Sequence, residues 1–77
     1  MERLLKIIES IRPDISVSPD TRLIDDGVLD SLDIVTLVTE INDIYGIRLS
    51  ARDVIPENFD TVWDIAHLIT LKGGTVE

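Results

Sequence analysis

Apolar side chains recur at helical spacing in three separate stretches of this chain, and they alternate at strand spacing almost nowhere. Leu4, Ile7, Ile8 and Ile11 fall at i, i+3, i+4 and i+7, with Glu2, Lys6, Glu9 and Ser10 on the other face. A stripe of that kind marks a helix that must bury one side. It predicts a first helix over about residues 2–12, stopped by Pro13, which lacks a donor and biases its predecessor away from helical angles. Ile34, Leu37, Val38, Ile41, Ile44 and Tyr45 hold one face over a second helix, about residues 31–45. Asp30 is placed to be its N-cap, Asp33 favours its first turn through the dipole, and Gly46 closes it. Val62, Ile65, Ala66 and Ile69 give a last helix over about residues 61–72, opened by a Thr61–Asp64 capping box and ended by Lys72-Gly73-Gly74. A weaker box, Ser50 with Asp53, predicts a one-turn helix over about residues 51–55, with Pro56 interrupting the chain beyond it. Ile47-Arg48-Leu49 is too short to found a sheet. The expectation is an all-α bundle of three long helices and one short one.

Between residues 13 and 30 no helical period appears. The stretch holds two prolines, one glycine and the scattered apolar residues Ile15, Val17, Leu23, Ile24, Val28 and Leu29. Loops beyond about 12–15 residues are uncommon in compact domains and tend to be functional or disordered. The steady supply of aliphatic side chains predicts a loop pinned across a core.

The chain has 77 residues, which fits a single domain over residues 1–77. A domain of this size buries only about 60% of its extended-chain surface and has no room for a deep catalytic cleft. There is no cysteine and one histidine, His67. Disulfides and thiolate metal sites are thereby excluded, and one imidazole cannot supply the set a zinc site usually takes. No apolar run approaches the ~20 residues of a membrane span, and because Met1-Glu2-Arg3-Leu4 turns amphipathic at once, we expect no signal peptide. We expect a complete, cytoplasmic, monomeric protein with no stable membrane association.

Fifteen acids against seven bases give a net charge of −8, which repels phosphate backbones and argues against nucleic acid as a partner. The charge is local. Asp14, Asp20, Asp25, Asp26, Asp30, Asp33, Glu40 and Asp43 face the single base Arg22 between residues 13 and 43, so that this segment carries −7 of the total. A solvated face would explain it. A calcium loop would need alternating ligands, a central Gly and a closing Glu, an order that neither the Asp20 nor the Asp26 start delivers. The third reading is a surface for basic partners, where complementary charge speeds encounter and selects partners more than it adds affinity.

Asp26-Gly27-Val28-Leu29-Asp30-Ser31-Leu32-Asp33 puts one hydroxyl at the first turn of the strongest helix. Serine is a favoured N-cap, and that role explains Ser31 without any function. Against it, Leu32 and Val35 lie off the buried stripe and should leave apolar surface beside the serine, which suits docking. A phosphoester on Ser31 would meet the helix N-terminus, where unpaired N–H groups and the dipole favour an anion. No Gly-rich elbow or oxyanion motif surrounds Ser31, and His67 lies on the last helix, where it reads as a surface residue, so a catalytic serine is not indicated. Trp63 and Phe59 read as core or core-edge packing.

Taken together, these residues resemble an acyl carrier protein over nearly the whole chain. The resemblance rests on Asp30-Ser31-Leu32 after an Asp-Gly-aliphatic-Leu lead-in, on Gly46-Ile47-Arg48-Leu49, and on Pro56-Glu57-Asn58-Phe59-Asp60-Thr61-Val62, in the right order within a four-helix pattern. It implies that Ser31 carries 4′-phosphopantetheine, donated by coenzyme A through a magnesium-dependent phosphopantetheinyl transferase. The arm's thiol would then hold acyl or aminoacyl groups as thioesters. The protein would be a non-catalytic carrier, with Asp30, Leu32, Asp33 and Val35 docking to basic patches on loading ligases and acyl-transfer enzymes. The alternative is an unmodified acidic helical interaction domain.

Departures from the family pattern narrow the pathway. Thr36 and Asn42 stand where fatty-acid carriers commonly place acids, and Leu29-Asp30-Ser31 replaces the Gly-Gly-X-Ser common in peptidyl carriers. A free-standing carrier for polyketide-like assembly or aminoacyl transfer, including D-alanyl transfer, fits these departures better.

Overall fold

The amphipathic stretches become helices whose apolar stripes meet in one core. The computed structural model describes residues 2–76 and contains four helices: α1 (Glu2–Ile11), α2 (Ser31–Tyr45), α3 (Pro56–Phe59) and α4 (Val62–Leu71). Helix α1 packs on both α2 and α4, and α3 packs on α4. Leu4, Ile7 and Ile8 from α1, Leu37 and Ile41 from α2, Phe59 from α3, and Val62, Ile65, Leu68 and Ile69 from α4 are buried together. No polar or charged residue among those described is fully buried, so the acids all reach the surface. No strand forms among the described residues.

Each long helix begins or ends where its cap chemistry says it should. The N–H of Arg12 still reaches the Ile8 carbonyl at 3.0 Å, and Pro13 comes next. Gly46 ends α2 at φ 63°, a left-handed conformation that costs a glycine little. Thr61 and Asp64 form a reciprocal capping box at the head of α4.

The short helix lies elsewhere than expected. Residues 51–53 are a turn, and the single-turn helix spans Pro56–Phe59 with the proline in its first turn. Half of the Ser50 box does form: Asp53 Oδ2 accepts from the Ser50 N–H at 2.9 Å. The turn cannot extend into a helix, because Pro56 has no N–H to give the Arg52 carbonyl and its ring holds Ile55 extended at φ −124° and ψ 153°. A proline is tolerated at the start of a helix, where its missing donor would be unpaired anyway. Pro56 opens the short helix instead of breaking it.

Two apolar assignments also change. Ile44, placed on the buried stripe of α2, is 39% exposed, and Ile34, Val38 and Tyr45 are half-buried, which leaves Leu37 and Ile41 as the fully buried residues of α2. Trp63 is 55% exposed, one position off the stripe of Val62, Ile65 and Ile69, and its indole N–H donates to Asp20 Oδ1 at 3.0 Å. Phe59 is buried as expected, and His67 lies exposed on α4.

The long loop is pinned across the core. Val17, Leu23, Val28 and Leu29 are buried, and Ile15 and Ile24 pack against the same cluster. The Leu29 N–H returns to the Leu23 carbonyl at 2.9 Å around Gly27, whose φ of 69° lets the chain turn back toward α2.

Candidate functional site

The loop delivers Asp30, not Ser31, to the capping position of α2. Asp30 is extended at φ −100° and ψ −174°, and its Oδ1 accepts the Asp33 N–H at 2.9 Å. Asp33 Oδ2 accepts the Asp30 N–H in return at 3.1 Å. Two carboxylates thus fill the roles of a reciprocal capping box. Ser31 becomes the first residue of the helix, exposed, with no hydrogen bond to its hydroxyl among the described residues. The capping role that would explain the serine structurally is already taken by its neighbour.

Beside the serine lies an apolar groove of about 280 Å³. Ile24 from the loop, Ile34 and Val35 from α2, and Val54, Ile55 and Phe59 from the α3 region form its walls, and Ser31 supplies a hydroxyl at its edge. Leu32 and Val35 are 77% and 63% exposed on the same turn of α2. The N–H groups of the first helical turn that precede the capped Asp33 amide have no intrahelical acceptor. A negatively charged ester at Ser31 would find donors and a favourable dipole there.

The four residues expected to dock partners divide. Asp30, Leu32 and Val35 are exposed, whereas the Asp33 side chain is 18% exposed and occupied: its Oδ2 also takes Arg12 Nη1 at 3.3 Å. Asn42 is half-buried, and its Oδ1 accepts the Leu49 N–H at 2.9 Å. Arg12 and the groove-lining Val54 and Ile55 were not expected at the site. The Ile55-Pro56 step was the available signal for the last two, since a residue before proline is held extended.

Arg22 reaches Asp25 at 3.0 Å and Asp60 at 3.3 Å, which uses the loop's one base. Among the described residues no three His, Cys, Asp or Glu side chains are grouped to hold a metal ion.

A model of the family described as Phosphopantetheine attachment site matches residues 2–69. The chain belongs to the phosphopantetheine attachment site family. Searches of curated proteins and of solved structures found no match. Membership agrees with the resemblance to acyl carrier proteins and makes covalently attached 4′-phosphopantetheine the cofactor. Proteins of the phosphopantetheine attachment site family are in general non-catalytic carriers that meet a phosphopantetheinyl transferase and acyl-handling enzymes. The residues present suit the group: an exposed, unpartnered hydroxyl at a helix N-terminus, bordered by apolar walls. No helix among the described residues is long and apolar enough to cross a membrane.

Proposed function

We propose that Ser31 is the attachment residue and that the chain carries acyl or aminoacyl groups to partner enzymes in a specialised biosynthetic pathway. The observation that carries this reading is the unpartnered Ser31 hydroxyl, left exposed because Asp30 does the capping. The bound arm supplies a thiol on which cargo is held as a thioester. The chain's own residues do the rest. The first turn of α2 donates N–H groups and its dipole to the phosphodiester. Ile34, Val35, Val54 and Ile55 offer an apolar cargo a groove, where each methylene removed from water contributes about 0.8 kcal/mol.

Leu32 and Val35 are the apolar docking contacts, and Asp30, with the acids of the loop, meets basic partners. A small apolar patch ringed by charge suits brief contact, because a tethered substrate needs only modest carrier affinity to reach its enzyme at high effective concentration. Asp33 belongs to this surface through the cap it completes more than through its own exposure. Thr36 is the departure that supports a specialised pathway, since Asn42 serves the backbone of the α2–α3 connection. The same reading has a single domain over residues 1–77 acting as a cytoplasmic monomer, a state that a net charge of −8 favours by self-repulsion.

Incubation with coenzyme A, magnesium and a broad-specificity phosphopantetheinyl transferase tests the attachment. Intact mass should show one phosphopantetheinyl group on the wild type and none on Ser31→Ala. An unmodified wild type would leave the alternative, an acidic interaction domain.

A further inference from the structure

Arg12 sits at the exit of α1, with its backbone N–H still bonded to Ile8 and its side chain half-covered. Its Nη1 lies 3.3 Å from Asp33 Oδ2, and that oxygen is the one that accepts the Asp30 N–H. Its Nε lies 3.5 Å from Asp14 Oδ1. Capping by itself requires no arginine: the box closes with two carboxylates and two backbone amides. The guanidinium adds two things. Its Nη1 holds the Asp33 oxygen that accepts the Asp30 N–H while its Nε reaches Asp14, and its charge offsets one of the two carboxylates flanking the place where a phosphate joins Ser31. Among the described residues, no other base lies within ion-pair distance of the acids that cap α2.

We infer that Arg12 is a positioning residue for the modification of Ser31, acting through Asp33 to hold the first turn of α2 in the shape and charge balance the transferase meets. The inference rests on the reading of Ser31 as the attachment residue. Arg12 never touches the serine; it links the end of α1 to the start of α2, so the helix that packs on α2 also sets how its head is presented.

The test compares full-length wild type, Arg12→Gln, Arg12→Lys and Lys6→Gln, with Ile8→Val as a variant destabilised in the core of the same helix. Rates of phosphopantetheinyl transfer from coenzyme A are read by intact mass, well below every melting temperature, with amide exchange at Asp30 followed by NMR. Arg12→Gln should lower kcat/KM roughly fivefold and speed Asp30 exchange by a similar factor, the scale of a loosened helix cap. Arg12→Lys, which keeps the charge and loses the planar guanidinium, should recover part of the rate, and Lys6→Gln, which removes an exposed base paired only with Glu2 on the same helix, should match the wild type. Equal transfer rates for Arg12→Gln and wild type would overturn the inference, as would a loss no larger than that of Ile8→Val. A wild type that gains no group at all would overturn the attachment reading itself, an outcome distinct from a wild type and an Arg12→Gln modified alike.

Discussion

The backbone N–H of Leu23 donates to the carbonyl of Asp60 at 2.6 Å, tying the middle of the long loop to the joint between α3 and α4. The bond fastens a segment without helical period to the helices it crosses. It also sets Ile24, the next residue, into the wall of the groove beside Ser31. Leu23 itself is completely buried. Leu23→Ala should therefore cost about 3 kcal/mol, from lost burial and the cavity left behind, measured by urea unfolding. A cost near that of a surface substitution would mean that the loop is not part of the core.

Neighbouring residues at the head of α2 should separate stability from function. Asp30→Ala removes the side-chain acceptor for the Asp33 amide and should cost about 1 kcal/mol in denaturant unfolding. Ser31→Ala removes a hydroxyl with no partner and should leave the unfolding midpoint unchanged while abolishing modification. A clear loss of stability in Ser31→Ala would assign the serine a structural duty.

Asp53 gives one limb of the acid response. Its carboxyl is held below the ordinary 3.8 chiefly by the Ser50 N–H and then by Lys72 Nζ, 3.0 Å away, against an opposing push from burial. A depressed folded-state pKa contributes stability that is complete above the unfolded value and is lost as pH falls through the folded one. Wild type should exceed Asp53→Asn in stability at neutral pH, and the gap should close as pH drops below about 4. Urea midpoints for the pair across that range check it; a gap constant with pH would remove Asp53 from the account.

Trp63, the single tryptophan, reports on the loop through its bond to Asp20. Asp20→Ala should shift the wavelength of Trp63 emission while changing stability by no more than about 0.5 kcal/mol, since the pair is exposed. An unshifted emission maximum would show that the indole does not hold this contact in solution.

The crowding of eight acids between residues 13 and 43 around one base should make the fold sensitive to ionic strength. Added sodium or magnesium chloride should raise the melting temperature by screening that repulsion. Differential scanning calorimetry at rising salt gives the answer, and a flat response would mean that the charges are too dispersed to matter.

Much of this was legible because it depended on local chemistry. The periods of α1, α2 and α4, the Asp30 and Thr61 caps and the glycine after Tyr45 all act within a few residues, and each of those three helices lies within one residue of its expected ends. The short helix was misplaced because the Ser50–Asp53 box and the Pro56 start are competing local signals, and the proline's effect on the residues before it won. Burial on α2 was overestimated at Ile44, since a stripe indicates which face turns inward and not how far a neighbour covers it.

Helix content, the loop, the cap residues and the serine at the head of α2 were determined by short-range preferences written along the chain, together with motifs spaced through it. Which of the two acids at the head of α2 stays exposed was decided only by tertiary structure. Asp33 is drawn inward because Arg12, remote in sequence, ends α1 beside it, and Asn42 is occupied because the chain returns past it at Leu49. Such contacts depend on how helices pack, and helix packing depends on the whole core at once.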